Sequence, residues 1–170
     1  MFNIGTIDFN VYEDGDSYIG VSETTLPDKV QKTVTVNGAG LGGDVEVPIQ
    51  GQYEPMTAIF KFRAYNPSVG KLREPRRHTL DLRIAEQYED PVTGNMKVDE
   101  IKHIMVVVPK KSSGGSVKPA SANDTTVETS CRYWAIYVNG ELIEEFDPIN
   151  GKNMINGFDY GAAVRKALGR

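Results

Sequence analysis

The sequence predicts a mainly β protein, an antiparallel barrel or sandwich with one short helix near its C-terminus. Valine, isoleucine and threonine together supply 40 of the 170 residues, whereas leucine supplies 7. β-Branched side chains fit the pleated surface of a sheet better than the crowded turns of a helix. Apolar and polar residues also alternate along several segments, which is the pattern of strands with one buried face.

The alternating segments define the predicted strands in chain order. Their apolar positions are Ile7, Phe9, Val11; Val30, Val34, Val36; Val45, Val47, Ile49; Met56, Ala58, Phe60, Phe62; Leu80, Leu82, Ile84; and Val127, Cys131, Tyr133, Ala135, Tyr137. Turn residues at 14–16, 90–95 and 139–140 tolerate positive φ or contain proline, which predicts three hairpins. The continuous apolar run 104–108 predicts a strand covered on both faces, by the core on one side and by the core or a partner on the other.

We predict one domain over residues 1–170, with two loops and a C-terminal helix. Residues 37–44 are rich in glycine, and residues 109–124 are rich in serine, glycine and lysine, which is typical of flexible segments. Asp159 is predicted to cap a helix whose apolar stripe contains Ala163, Val164 and Leu168. A helix this short is marginal alone in water, so it must dock on its own barrel or on a neighbour's.

Charge and cysteine content exclude several classes of protein. The net charge is −4 and the pI is about 5.2, so no basic excess exists for sequence-specific DNA binding. One cysteine allows neither an internal disulfide nor a structural zinc site. No apolar run approaches the roughly 20 residues of a membrane span, and residues 1–5 do not resemble a secretory signal. We therefore expect a cytosolic chain that does not bind membranes.

No residue pattern indicates an enzyme, and we predict no catalytic, metal-binding or cofactor-binding residues. Residues 38–43 match G-x-G-x-x-G, but a strand pattern with Pro48 follows where a dinucleotide site needs a helix. His78 and His103 are expected on strand surfaces, and Cys131 is expected to be a buried, inert thiol. The basic residues of 71–77 fit either a phosphate or acidic partner surface or a solvated connection.

The C-terminal third resembles the major tail tube proteins of contractile-tailed phages and R-type bacteriocins. The resemblance lies in residues 133–151, with their aromatic strand, Asn-Gly turn and Asp-Pro-Ile-Asn end, followed by 155–159 and 165–169. A second match covers 26–29 and the glycine-rich segment with its following Val-Pro-Ile strand. These matches occur in the family's order along most of the chain.

The resemblance implies a structural subunit of hexameric rings, stacked into a hollow tube inside a contractile sheath. Each subunit would contribute strands to the inner barrel of the ring, and closing strands into a barrel removes edges that would otherwise aggregate. Implied partners are other copies of the chain, the sheath protein, the baseplate and tail terminator proteins, and a lumen occupied by tape-measure protein or phage DNA. The implied location is a virion tail or tail-like particle assembled in the host cytoplasm. The loop that would reach neighbouring subunits or rings comprises Gly38, Ala39, Gly40, Leu41, Gly42, Gly43 and Asp44.

The resemblance also suggests which residues face the inside and the outside of the tube. If strands 29–36, 43–50 and 56–63 line it, their apolar members face the subunit core. The polar members would then face the lumen: Gln31, Thr33, Thr35, Asp44, Glu46, Gln50, Thr57 and Lys61. The family's mid-chain outer helix is expected to be lost or reduced to a turn, because proline and glycine interrupt residues 66–75. This leaves the 109–124 loop and basic residues as candidates to meet the sheath: Lys71, Arg73, Arg76, Arg77, Lys110 and Lys111.

Two alternatives remain open at this point. The first is an Hcp-like tube protein of a secretion system, which would assemble in the same way but carry effectors instead of DNA or tape-measure protein. A monomeric β-sandwich binding module would need a concave site with convergent polar groups, and no sequence motif indicates one.

Overall fold

Twelve strands and two short helices make up residues 2–170, the part of the chain that the computed structural model describes. Strands hold 57% of the chain and helices 7%, which confirms the predicted mainly β class. The elements are β1 (Phe2–Glu13), β2 (Ser17–Tyr18), β3 (Glu23–Thr25), β4 (Gln31–Val36), β5 (Val45–Tyr53), β6 (Met56–Phe62), α1 (Pro67–Leu72), β7 (His78–Glu89), β8 (Met96–Ser113), β9 (Thr125–Val138), β10 (Glu141–Asp147), β11 (Lys152–Ile155), β12 (Phe158–Asp159) and α2 (Ala162–Ala167).

A ten-stranded antiparallel sheet forms the barrel, and the long β7–β8 hairpin lies at its centre. β1 pairs with β7 on one side, and β9 pairs with β8 on the other. The sheet forks at β9, because its first half pairs with β6 and its second half with β10. The Ile19 amide donates to the Val11 carbonyl at 2.9 Å and the Ser22 amide donates to the Lys61 carbonyl at 2.8 Å. The chain between β2 and β3 thereby joins the two sides of the sheet.

The three predicted hairpins are confirmed. β1 turns into β2 through Asp14 and Gly15, with φ of 52° and 89°, and β7 turns into β8 across residues 90–95. β9 turns into β10 through Asn139 and Gly140, with φ of 49° and 82°. Two consecutive positive φ values give a turn whose twist matches that of the flanking strands, which explains the Asn-Gly pair.

The core lies inside the barrel, where alternate residues of β6, β7 and β8 meet. Phe60, Leu80 and Met105 are fully buried. Burial of each such side chain contributes about 1.5–3 kcal/mol relative to exposure. Within one chain, only one face of the apolar run 104–108 is fully covered. Met105 and Val107 are buried, whereas Ile104, Val106 and Val108 are only partly buried.

Residues 66–75, where the outer helix was expected to be lost or reduced to a turn, contain the six-residue helix α1. The Asn66 side chain caps α1 by accepting from the Val69 amide at 3.1 Å, and Pro67 occupies the first turn, where its missing amide hydrogen costs nothing. Val69 and Leu72 are fully buried and fix the helix against the barrel. The proline that suggested a broken segment therefore begins the helix.

The predicted C-terminal helix is present, but Asp159 does not cap it. Gly161 occupies the N-cap position, and the Asp159 carboxylate instead accepts from Arg165 at 2.6 Å and from the Gly161 amide at 2.9 Å. No residue of α2 is fully buried, and Arg165 attaches the helix to the turn before β11 by donating to the Gly151 carbonyl at 2.9 Å. Neither helix of residues 2–170 is long and apolar enough to cross a membrane.

Candidate assembly surfaces

β4 and β5 form a two-stranded sheet that pairs with no other strand of residues 2–170. Val34 lies opposite Val47 and Val36 lies opposite Val45, so these side chains share one face with Ile49. Their exposed fractions range from 40% to 50%. We call these five residues the apolar hairpin face. The prediction that they face the core of their own subunit is wrong, because this sheet does not join the barrel wall and no other described element covers it.

The other side of the same sheet is polar. Thr35 lies opposite Glu46, and the Thr33 hydroxyl donates to the Glu46 carboxylate. Gln31 and Gln50 flank a register shift at the base of the sheet. We call these five residues the polar hairpin face. The predicted separation of apolar and polar faces is thus present, but the apolar face does not face the core of its own subunit.

The glycine-rich loop 37–44 connects β4 to β5, and it ends in a strand instead of a helix. Gly40 has φ of 94°, a conformation that L side chains rarely adopt. A Cβ added at any glycine of the loop would meet no heavy atom within 4 Å, and Leu41 is 47% exposed. At Gly38, Gly42 and Gly43, therefore, no contact within the chain requires a residue without a side chain.

Lys29 anchors the base of the β4–β5 sheet to the barrel. Its ammonium donates to the Asn153 side-chain oxygen at 2.7 Å and lies 4.8 Å from the centre of the Phe146 ring. Asn153 donates in turn to the Tyr53 hydroxyl at 2.8 Å. Burial lowers the pKa of Lys29 below its ordinary value. Sequence reasoning missed this role, although Lys29 belongs to one of the segments that carry the family resemblance.

A second apolar surface lies along β1. Only Tyr12 and Glu13 of this strand pair with β2, so its edge before them has no partner strand within residues 2–170. Phe2, Ile4 and Ile7 are 66%, 49% and 54% exposed. We call residues 2–10 the β1 edge. In the order of strands, β1 and β12 lie near opposite ends of the sheet, so this surface and the C-terminal helix belong to different elements.

His78 is fully buried, so its predicted place on a strand surface is wrong. Its Nδ1 lies 2.6 Å from the Glu13 carboxylate and its Nε2 lies 3.0 Å from the Glu74 carbonyl. Both oxygens accept hydrogen bonds, so this geometry is satisfied when both ring nitrogens carry protons. Arg76 and Lys71 also approach Glu13, at 2.7 and 3.4 Å.

Opposing effects set the pKa of Glu13. Its burial alone would raise the pKa, but hydrogen bonds from His78 and Arg76 and the nearby positive charges lower it below the ordinary value. The carboxylate is 1% exposed and its ionised form is held by these partners. The cluster ties the end of β1 to the segment after α1.

His103 is also buried, contrary to the surface position expected for it. The Trp134 indole nitrogen donates to its Nδ1 at 3.1 Å, and the two rings stack. Burial lowers the pKa of His103 to about 4, which keeps the ring neutral near pH 7. Cys131 is buried as predicted, and burial raises its pKa to about 12, so it is a poor nucleophile.

The basic residues predicted to face outward divide into two groups. Lys71 and Arg76 are occupied by Glu13, whereas Arg77, Lys110 and Lys111 are exposed. Arg73 donates to the Ser113 carbonyl at 2.9 Å, which places the end of α1 beside the end of β8. β8 continues to Ser113, so the surface loop predicted for 109–124 comprises only residues 114–124.

Thr57 and Lys61 lie apart from the other predicted lumen residues. Both belong to β6 in the barrel wall, on the side opposite the buried Ala58 and Phe60. The Lys110 ammonium donates to the Thr57 hydroxyl, and Lys61 pairs with Glu23 at 3.7 Å. Thr57 was predicted to face the lumen and Lys110 to face the sheath. Because the two side chains are in contact, both predictions cannot be correct.

The fold and its surfaces define a β-barrel subunit that exposes two apolar regions and one hairpin with two chemically distinct faces. Exposed apolar surfaces of this extent are typical of chains that associate with other chains. The profile of the phage tail tube protein FII family matches residues 6–169. The chain belongs to this family, which confirms the resemblance found in its sequence.

The chain is also similar to individual proteins in sequence or in fold. The tail tube protein of Escherichia phage P2 is 26% identical over 165 residues, which cover 94% of each chain. The sheath/tube terminator of an extracellular contractile injection system, in its extended state, superposes with a TM-score of 0.54 and shares the fold. That pair is 12% identical and covers 81% of this chain and 98% of the other. The sheath-tube complex of that system gives a TM-score of 0.48 at 12% identity, over 76% of this chain and 87% of the other.

Proposed function

We propose that this tail tube protein assembles into hexameric rings that stack into the hollow inner tube of a contractile tail or tail-like particle. The observation that carries the proposal is the β4–β5 sheet, with its apolar face uncovered and its polar face opposite. In a ring, a neighbouring copy covers the apolar hairpin face and the polar hairpin face lines the lumen. The proposed role is structural and includes no catalytic step.

The positions of the apolar surfaces favour closure into a ring. A contact between two different surfaces of the same chain is heterologous, and it closes when the rotation between copies returns to the start. The apolar hairpin face and the β1 edge are different surfaces, so their contact has this character. Pairing of the β1 edge with a neighbouring strand would also remove an exposed edge that otherwise favours aggregation.

Electron microscopy tests the assembly directly. We expect negative-stain images of the purified chain to show rings or hollow tubes of constant diameter, and light scattering to show a mass that rises with concentration. A strictly monomeric particle at high concentration would contradict the proposal and favour a monomeric binding module. The cargo of native tubes, DNA or tape-measure protein on one reading and effectors on the other, would separate the contractile-tail role from that of an Hcp-like secretion tube.

The polar hairpin face suits a conduit for phage DNA or tape-measure protein. Its five members carry one charge, that of Glu46, so they offer no basic groups that would hold a nucleic-acid backbone through counterion release. The remaining proposed contacts are axial ones, through the loop 37–44 to the next ring and at the tube ends to baseplate and terminator proteins.

Thr33→Lys combined with Thr35→Lys is expected to leave tubes intact but to slow DNA ejection severalfold, because added cations in the lumen bind phosphates. The measurement is the rate of ejection from phage particles that carry both substitutions. Ser17→Lys with Thr93→Lys adds the same charge at exposed positions outside the β4–β5 sheet and serves as the control. Equal ejection rates for all three particles would contradict this lumen assignment.

The exposed basic residues Arg77, Lys110 and Lys111 are proposed to meet an acidic surface of the sheath. Arg77→Glu with Lys111→Glu is expected to preserve tubes and to lower sheath occupancy at least tenfold. Quantitative gels of purified particles measure the sheath-to-tube ratio. Arg77→Lys with Lys111→Arg keeps the charge and should keep the ratio, and an unchanged ratio in the charge-reversed particle would assign the sheath contact elsewhere.

A further inference from the structure

We infer that the C-terminal end of each subunit inserts Leu168 into a pocket of the neighbouring subunit in the same ring. The pocket opens beside β1, β7 and β8, between these strands and the segment around β3. This inference rests on the proposed ring assembly and adds to it one specific contact, made by residues that the apolar hairpin face does not include.

The end of α2 has a defined structure although it is exposed. Gly169 has φ of 74°, its amide donates to the Lys166 carbonyl at 3.2 Å, and the Arg170 amide donates to the Arg165 carbonyl at 2.9 Å. This is the Schellman arrangement, which usually includes an apolar contact between the side chains at the positions that residues 165 and 170 occupy here. Here both are arginines, and Leu168 is 66% exposed. The helix end therefore presents a fixed apolar side chain without covering it.

The receiving pocket has a volume of about 360 Å³, and its lining is mostly apolar. Phe9, Leu26, Ile84 and Ile101 form its walls, and each is only partly buried in the isolated chain. Because the pocket is open and apolar, filling it with a leucine side chain removes apolar surface of both partners from water. Its size accommodates the leucine side chain together with part of the adjoining turn.

Charge favours this occupant over the glycine-rich loop. Residues 161–170 contain Arg165, Lys166 and Arg170 and no acidic residue. Arg165 is held by Asp159, which leaves the other two available. The pocket is lined by Glu23 and by Glu86, and the Glu86 carboxylate makes no ion pair within residues 2–170. The glycine-rich loop, whose Leu41 is also exposed, brings Asp44 instead and would be repelled.

The positions of the two elements suit a contact between copies. α2 follows β12 at one end of the strand order, whereas the pocket lies beside β1, which is next to the last strand at the other end. The two elements are different parts of the subunit, so each copy can give its C-terminal end to one neighbour and receive that of another. The contact joins two different surfaces of the chain and is therefore heterologous. Repeated heterologous contacts form a ring when the rotation between copies closes.

Cysteine cross-linking tests the contact in assembled tubes. Leu168→Cys with Ile84→Cys, treated with a short bis-maleimide, is expected to give a ladder of covalent oligomers that ends at a hexamer. Leu168→Cys with Val92→Cys is the matched control, since Val92 is 90% exposed and distant from the pocket. The buried Cys131 stays in place, and Leu168→Cys alone measures any reaction with it.

A charge exchange provides a second test that does not alter the apolar pocket. Lys166→Glu with Arg170→Glu is expected to lower the fraction of chain in rings about tenfold, and adding Glu23→Lys with Glu86→Lys should restore most of it. Tubes that form normally without the cross-linked ladder, or without any effect of charge reversal, would overturn this inference and leave the proposed function standing. Absence of rings from the unsubstituted protein would overturn the proposed function itself.

Discussion

Val47→Asp is expected to abolish ring and tube formation while the subunit remains folded. Val47 is 41% exposed in the isolated chain and lies opposite Val34 on the apolar hairpin face. A carboxylate there stays hydrated in the monomer but would be buried without a partner in the ring, and a buried, uncompensated charge costs several kcal/mol at each interface. Light scattering and negative-stain microscopy measure assembly, and circular dichroism with thermal unfolding measures the fold.

Glu46→Gln is the matched control for this prediction. Glu46 is the neighbour of Val47 in β5 and belongs to the polar hairpin face. Removing its charge should leave tubes of normal diameter. Tubes of normal length and yield from Val47→Asp would mean that the apolar hairpin face is not an interface, and the proposed ring would lose its main support.

Glu13→Ala is expected to lower the free energy of unfolding by about 3–5 kcal/mol, the cost typical of removing one partner from a buried ion pair. The substitution leaves the buried His78 ring without its acceptor at 2.6 Å and removes the group that Arg76 and Lys71 approach. Denaturant unfolding followed by tryptophan fluorescence measures the loss. Glu74→Ala removes an exposed carboxylate that also binds Arg76, and it should cost less than about 1 kcal/mol. Equal losses for the two variants would contradict the importance of the buried cluster.

The same residue predicts a pH dependence with a defined sign. The pKa of Glu13 is lowered in the folded chain from its ordinary value of 4.5, because hydrogen bonds and positive charges outweigh its burial. The folded state therefore binds its proton less readily than the unfolded state, and the ionised carboxylate stabilises the fold above that ordinary value. The contribution is lost as pH falls through the lowered folded pKa. Urea unfolding of the unsubstituted chain and of Glu13→Gln should give stabilities that converge in acid, and a constant difference would contradict the assignment.

The hairpins and the barrel strands could be predicted because their signals are local. Asn139 and Gly140 adopt the positive φ that the turn requires, and alternate residues of β6 such as Ala58 and Phe60 are buried as their spacing indicates. The two faces of the β4–β5 sheet were also predictable from alternation. The place where the apolar face packs was not, because periodicity shows that a face is apolar without showing which chain covers it.

The buried polar contacts could not be predicted because they join distant parts of the chain. Glu13 and His78 are 65 positions apart, and neither is surrounded by residues that indicate a pair. The helix α1 was missed for a different reason. Proline and glycine disfavour a helix on average, but Pro67 occupies the first turn, and burial of Val69 and Leu72 compensates for a weak intrinsic preference.

The Lys29 anchor has a mechanical consequence for the proposed tube. In the proposed tube, axial load on the lumen wall would act first on the β4–β5 sheet, which has no strand pairing to its own barrel. The hydrogen bonds from Lys29 to Asn153 and from Asn153 to Tyr53 connect that sheet to β11, and through β10 to the long strands β9 and β8. The shear stiffness of the wall would then depend on these few polar contacts between the sheet and the barrel. Replacing Lys29 with a residue that cannot make them would soften the tube without changing its diameter.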